Sequence, residues 1–318
     1  MKNLYLFLLL IFLLSCNNNK KTDNIPTVAF LDAFEDATIS QAKVGFFDAL
    51  KSHGFSEDKK NIKVLYRNAQ GDIPTLTQAC DYFISENVDL IATNTTLSTI
   101  TAVQKTKQIP VFMMVSPSPQ LANLIDKKGN APKNLYGVFE TLEYIDTSVV
   151  LIKKTYPAFN KIGVIFNQSE PQSMLALNHL ISQANLLNIN VEALPANNSS
   201  ETQLVVESLI NKNIDAFFAL PDNTVFASFE VIFKSCSNAK IPIFTSEAGL
   251  VKRGALMAFG ADIYQWGYQA GEQAAKFLKT KELKDLKPEI VKIRKRVYNP
   301  SVAKTFQIDF QSDFTPIK

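Results

Sequence analysis

KIGVIF, Lys161–Phe166, has one charge at its start and only apolar or small residues after it. A run of that length and β-branched content reads as a strand buried on both faces. Asn167-Gln168-Ser169-Glu170-Pro171 follows it, a polar turn ending in a proline suited to the first turn of a helix. Residues 173–187 then carry a helical pattern, and residues 190–194 read as the next strand. Strand, polar turn, helix, strand is a βαβ unit. Its strands lie parallel because the helix carries the chain back to the same end of the sheet.

The rhythm repeats on either side. Downstream, helices are expected at 204–211 and 225–235 and strands at 216–220 and 242–244. Upstream, residues 27–31 (TVAFL), 62–66, 89–93 (DLIAT) and 110–115 read as strands, separated by helical patterns at 39–53, 75–86 and 97–107. The first of these helices sets Ala42, Phe46, Ala49 and Leu50 on one face and stops at His53-Gly54, with Gly54 suited to a left-handed cap. Further helices are expected at 148–156 and 264–278. Two such successions imply an α/β molecule of two similar lobes, each a parallel sheet flanked by helices, with a ligand cleft between them. Crossings are expected near 136–142 and 260–263 and again after the helix at 264–278. They divide the chain into a signal peptide (1–15), a tether (16–25), a first lobe (26–137 plus about 263–280), a second lobe (138–262 plus about 281–311) and a tail (312–318).

The first residues carry their own signal. Met1-Lys2-Asn3 precedes an apolar run at 4–14, then Ser15-Cys16 and Asn17-Asn18-Asn19-Lys20-Lys21. The run is too short to cross a bilayer comfortably and reads as a secretory signal. Leu13-Leu14-Ser15-Cys16 resembles a lipobox, where bacterial lipoprotein precursors are cleaved and acylated on the cysteine. The expectation is a chain held in the bilayer by acyl groups such as palmitate on Cys16. It would stand in the cell envelope, facing the periplasm or the cell exterior. Each buried methylene contributes about 0.8 kcal/mol, so two or more acyl chains hold firmly where one holds marginally.

Composition removes several functions. Lysine and arginine number 33 against 30 acidic residues, and the net charge of +3 is dispersed. Arg67, Arg253, Arg294 and Arg296 are the only arginines, and no concentrated basic face is visible, so nucleic acid is not an expected partner. Cys80 and Cys236 lie in separate helical patterns; buried free thiols are the favoured reading, with a disulfide in an oxidising compartment as the alternative. His53 and His179 have no partner at metal-ligand spacing. The sequence holds no GxSxG, HExxH, P-loop or GxGxxG pattern. Neither metal nor cofactor is expected, and the chain is not expected to be an enzyme. The adjacent carboxylates Glu35-Asp36 are what a lipid-tethered hydrolase would use, the least favoured of the readings. A monomer is expected.

In open α/β sheets ligands bind beyond the carboxyl ends of the strands. Those positions here hold Phe34 and Asp36, then Asn94-Thr95-Thr96, Ser116, Asn167, Ser169 and Glu170, Asp222-Asn223, Ser246-Glu247, and Asp262 at the second crossing. Asn94-Thr95-Thr96 opens a helix whose free N–H groups favour an anion such as a carboxylate, although a threonine there also serves simply as a cap. Asp222 and Glu247 have the same two readings, as first-turn acids or as partners of a ligand ammonium. An acidic pair facing a carboxylate cradle suits a zwitterionic amino acid; a sugar or nucleoside is the alternative. Phe34, Phe139, Phe226 and Tyr264 are aromatic candidates, with core packing the default for each. Trp266 reads as structural or partly exposed.

GFFDALKSHGF (45–55), YRNAQGD (66–72), VDLIATNTT (88–96), KIGVIFNQSEPQS (161–173), ALPDNTVFAS (219–228) and KIPIFTSEAGLVKRGALMAFGAD (240–262) keep a characteristic order and spacing. With them the chain resembles, over nearly its whole mature length, the ABC-transporter substrate-binding lipoproteins of the tryptophan/tyrosine type. The resemblance implies the type I periplasmic-binding-protein fold and capture of a small solute by closing lobes. It further implies delivery to an ABC permease and its ATPase, with aromatic amino acids as ligands of some members. A ligand-sensing lipoprotein is a variant of the same reading. Two loops depart from the family pattern. Asp32-Ala33-Phe34-Glu35-Asp36-Ala37 stands where a His-Pro pair is common, and Ser116-Pro117-Ser118-Pro119 where Asp-Pro is common.

Overall fold

The computed structural model describes residues 25–34, 36–310 and 313–317. The expected signal peptide, most of the tether, the Cys16 anchor and Glu35 lie outside them. The chain runs β1 (Thr27–Asp32), α1 (Ser40–Ser52), β2 (Lys63–Asn68), α2 (Ile73–Ser85), β3 (Leu90–Asn94), α3 (Thr96–Lys105), β4 (Val111–Met114) and β5 (Leu135–Phe139) through the first lobe. It crosses into α4 (Glu143–Thr155), β6 (Lys161–Phe166), α5 (Pro171–Leu186), β7 (Asn190–Pro195), α6 (Thr202–Ile210), β8 (Ala216–Ala219), α7 (Asn223–Ala227), α8 (Phe229–Asn238), β9 (Ile243–Thr245), α9 (Ala248–Lys252) and β10 (Met257–Ala261). A return through α10 (Ile263–Thr280) and β11 (Glu289–Ile290) is followed by a last crossing to β12 (Arg294–Tyr298), α11 (Pro300–Phe306) and β13 (Thr315–Pro316).

The first sheet has the order β11-β5-β4-β3-β1-β2 and the second β13-β12-β10-β9-β8-β6-β7; among the described residues only the β10–β12 pair is antiparallel. Alternation along β1 shows why the strands read as unbroken apolar runs. Val28 and Phe30 point into a core with Phe46 of α1 and Trp266 of α10, while Ala29 and Leu31 point to the opposite face with Leu76 and Phe83 of α2. Both faces are covered, so both sets of side chains are apolar. Burying each such Leu or Phe contributes about 1.5–3 kcal/mol.

Helix α10 joins the first lobe although it lies more than two hundred positions after α1. Glycines make the close crossing: a Cβ on Gly267 would stand 1.9 Å from the Ala42 carbonyl oxygen. This packing fixes Trp266 beside the first sheet, where its ring N–H donates to the Val138 carbonyl at 2.8 Å.

Several expectations need correction. Residues 281–311 were assigned to the second lobe, but Glu289 and Ile290 pair with Val138 and Phe139 of β5, so that stretch returns through the first sheet before crossing. The tail contains β13, which pairs with β12. The helix expected at 148–156 begins at Glu143, entered through Leu142 in a left-handed conformation (φ 71°, ψ −5°). The helix expected at 225–235 is divided at Ser228 into α7 and α8. Strands β5 (LYGVF) and β10 (MAFGA) were missed because glycine and alanine dilute their β signal. Among the described residues no helix is long and apolar enough to cross a membrane. Cys80 and Cys236 are free and buried, in different lobes, and burial foremost pushes both thiols up to about 12.

Candidate functional site

Strand order reverses at β1, which lies between β2 and β3, and at β6, which lies between β7 and β8. Chains leave such a switch point in opposite directions and open a crevice at the strand ends. The two crevices face one another. Between them lies a wide mouth of about 1320 Å³, counted out to open solvent, bordered by Phe34, Gln70 and Leu97 on one side and Asn167, Ser169, Glu170 and Asn197 on the other. Deeper, against the crossings, lies a small, nearly filled cavity of about 30 Å³, within an envelope of about 420 Å³ that includes its opening. Its first-lobe wall is Thr95, Thr96, Val115 and Ser116. Its second-lobe wall is Gln172, Pro221, Asn223, Phe226 and Glu247, and Glu140, Leu142, Tyr144 and Trp266 form its floor.

Two properties mark the deep cavity. Among the described residues, the buried side-chain polar atoms without a hydrogen-bond partner are Asn94 Oδ1, Thr95 Oγ1, Gln172 Oε1, Ser246 Oγ and Glu247 Oε2. Thr95, Gln172 and Glu247 line the cavity, and Asn94 and Ser246 precede lining residues in the chain. A buried polar group left unsatisfied costs about 1–3 kcal/mol, so the three that line this one cavity point to a polar occupant. The amide orientations are set by neighbours: Asn94 Nδ2 donates to Asp32 at 2.7 Å and Gln172 Nε2 donates to Glu170, which leaves both amide oxygens without a donor. Backbone strain gathers at the same place. Thr95 (φ 77°, ψ 167°), Val115 (φ 50°) and Leu142 (φ 71°) all take left-handed conformations that suit glycine, and all three line the cavity. Each costs about 1–3 kcal/mol, a cost that ordered sites elsewhere in proteins carry where a side chain must point at a ligand.

The sequence-derived candidates separate into three groups. Thr95, Thr96, Ser116, Asn223 and Glu247 line the deep cavity, while Phe34, Asn167, Ser169 and Glu170 border the mouth. Asn94 is buried just behind Thr95, holding Asp32 and the Ile39 carbonyl. The remaining acids do other work. Asp222 caps α7 by accepting from Val225 N at 2.9 Å and also accepts from Asn167 N at 2.8 Å; fully buried, it borders neither the mouth nor the deep cavity. Asp262 caps α10 through Gln265 N and pairs with Lys295. Asp36 bridges the lobes. The expected acidic pair is therefore reduced to Glu247. Of the aromatic candidates, Phe226 lines the cavity, whereas Phe139 packs within the first lobe and the Tyr264 hydroxyl donates to Asp48 at 3.0 Å, outside it. Trp266 is buried, and it lines the cavity as well as packing. Gln172, Tyr144, Glu140 and Leu142 were not anticipated. Pro171 read as a helix start, and a polar side chain in the following first turn was the one available signal for Gln172.

Electrostatics at the site run against ionised acids. Burial, and then the neighbouring Asp222, raise the Glu170 carboxyl; burial likewise raises Asp222 and Asp32. Glu247 lies well above the ordinary range, first through burial, then through Glu140 and Asp262. Glu140, fully buried, is held by Arg294 through two bonds of 2.8 and 2.6 Å. That pair ties the first crossing to the third.

The lobes also touch through the loop after β1. Arg253 at the end of α9 donates to Asp36 at 2.6 Å and to Thr38 Oγ1 at 3.2 Å, while its other nitrogens hold Glu230 and the Phe226 carbonyl. Ile39, fully buried, packs into the core cluster of the second lobe. Gly249 meets Thr38 so closely that a Cβ there would stand 2.3 Å from Thr38 Cγ2. Cleft, crossings and interlobe clasp together define a two-lobed binding protein of the type I periplasmic kind.

The family model described as ABC transporter substrate binding protein matches residues 27–315, and the chain belongs to that family, whose members bind solutes rather than catalyse reactions. It is similar to a tyrosine-binding protein of Clostridioides difficile, 35% identical over 272 residues, which span 85% of this chain and 78% of that relative. A conserved domain protein from Vibrio cholerae superposes with a TM-score of 0.85 at 28% identity, covering 92% of this chain and 100% of the other. An ABC domain from Streptococcus pneumoniae in complex with L-Trp gives a TM-score of 0.82 at 22% identity, covering 92% and 99%, a likeness of fold.

Proposed function

We propose that this chain is the lipid-anchored receptor of an ABC importer that captures a free aromatic amino acid outside the cytoplasm and passes it to a permease and its ATPase. The observation that carries the reading is the set of unpartnered polar atoms contributed by both lobes to one cavity whose floor and wall are Trp266, Tyr144 and Phe226. A zwitterionic head would satisfy the polar atoms, and an aromatic side chain would meet the rings as the lobes close around it. The helix N-terminus at Thr95-Thr96 suits the carboxylate. The tyrosine-binding relative supports the same class of ligand. A single chain supplies both walls, so a monomer suffices. The lipobox-like Leu13-Leu14-Ser15-Cys16 supports the anchor, by which a receptor stays within reach of a permease.

Thermal-shift screening of the protein against amino acids, sugars and nucleosides tests the ligand class. At 100 times its dissociation constant a ligand stabilises by about 2.7 kcal/mol. L-tyrosine or L-tryptophan is expected to raise the melting temperature; a shift with sugars or nucleosides alone would contradict the reading. Membrane fractionation of Cys16→Ser tests the anchor: the variant is expected to leave the membrane, and unchanged association would refute acylation at this residue.

A further inference from the structure

Every strand of the first sheet starts at the end of the lobe farthest from the cleft, and α1, α2, α3 and α10 end there. The described chain also enters on this base, at Ile25. The Pro26 carbonyl accepts from Lys63 N at 2.9 Å, and Thr27 N donates to Asp89, whose other oxygen takes Lys281 at 2.8 Å. The segments that close the base, 53–63, 85–89, 105–110, 131–134 and 279–287, carry ten lysines and six acids. That surplus of four exceeds the +3 of the whole chain, so the remainder is negative.

Four of the ten lysines are spent on acids: Lys63 on Glu86, Lys105 on Asp81, Lys281 on Asp89 and Lys284 on Glu282. Lys59, Lys60, Lys107, Lys133, Lys279 and Lys287 are exposed and have no carboxylate partner among the described residues. A lysine at a helix C-terminus complements the helix dipole, which accounts for Lys107 after α3 and Lys279 in α10. The other four lie in loops, where no dipole calls for them. The corresponding end of the second lobe differs. There Lys161 and Lys212 share Glu192, and Lys153 is folded onto the Pro157 and Phe159 carbonyls, which leaves Lys154 and Lys240.

We infer that the base of the first lobe is seated on the bilayer, with its unpaired lysines against anionic phospholipid headgroups. The inference rests on the acyl anchor at Cys16 proposed above. Cys16 precedes Ile25 by nine positions, a reach of at most about 30 Å. The base is therefore presented to the headgroups at a high effective concentration. Lys20 and Lys21 of the tether outnumber Asp23 and add to the same attraction. Because β1 is six residues long, the cleft stands about 20 Å further from the bilayer than the base, open to solute.

The test is amine labelling of the acylated protein, read lysine by lysine by mass spectrometry. The protein is held on vesicles of phosphatidylcholine alone, or of phosphatidylcholine with about 30% phosphatidylglycerol. Lys59, Lys60, Lys133 and Lys287 are expected to react about threefold or more slowly on the anionic vesicles, and Lys154 and Lys240 equally on both. Raising salt from about 0.1 M to 1 M shortens the screening length from about 10 Å to 3 Å and should erase the difference. Lys59→Glu, Lys133→Glu and Lys287→Glu in one chain should abolish the protection of Lys60 while the chain stays on the vesicle. Retention on both vesicle types with equal labelling of the unsubstituted protein would overturn the inference and leave the anchor standing. Failure to stay on phosphatidylcholine vesicles would overturn the anchor, and the inference with it.

Discussion

At the residue scale, the cavity is distinguished by what its side chains and backbone give up. Thr95 is the clearest case, since its hydroxyl lacks a partner and its φ of 77° lies where glycine is at ease. A residue held there against its own preference is held for its side chain. Thr95→Gly should therefore keep the empty protein's melting temperature or raise it, because relief of about 1 kcal/mol or more offsets the lost side chain. The same change should weaken the ligand. Paired thermal melts and calorimetry decide this, and a lower melting temperature with unchanged affinity would show that Thr95 is only structural. Asp222 and Asp262 teach the opposite lesson. An aspartate at a strand end followed by a helix looks the same in sequence whether it meets a ligand or caps the helix. The cap geometry, Asp222 to Val225 N and Asp262 to Gln265 N, decides for the bland role in both.

At the element scale, the loop between β1 and α1 belongs to the first lobe by sequence and to the second by contact. Asp36 meets Arg253, Thr38 meets Gly249, and Ile39 enters the second-lobe core. None of these residues lines the deep cavity, so they act on closure rather than on recognition. Asp36→Asn and Arg253→Ala should each weaken every ligand by the same factor, about tenfold, because apparent affinity scales with the closed fraction. Gly249→Ala, which wedges a methyl against Thr38, should do likewise. Dissociation constants for two unrelated ligands measure this, and a factor that differs between ligands would place the loop in recognition instead. The same loop shows how far sequence reasoning reached. Strands were legible where they are continuous apolar runs, since a parallel sheet covered on both faces leaves no other choice. Strands β5 and β10 were not, because glycine and alanine carry little β preference of their own. Asp36 was recognised as bordering the cleft, but its partner Arg253 lies more than two hundred positions away, and only the folded chain brings them together.

At the scale of the whole molecule, two sheets whose order reverses at β1 and β6 place polar strand ends face to face, and three crossings hold them there. This much follows from alternating β and α signals, which is why Thr95, Thr96, Ser116, Asn223 and Glu247 could be named from sequence. The cavity floor could not. Tyr144, Glu140 and Leu142 come from the first crossing, and Trp266 arrives on α10, carried into place by the glycine contact with α1. Trp266 is also the chain's single tryptophan, so the tryptophan emission comes from the cavity floor and the first-lobe core that it joins. The most direct test of an aromatic amino acid seated between the lobes is therefore a titration of Trp266 fluorescence with L-tyrosine, excited where tyrosine does not absorb. A saturable change that ends at one equivalent, at the affinity calorimetry gives, is the predicted result. Binding seen by calorimetry while Trp266 emission stays unchanged would place the ligand elsewhere and contradict the account.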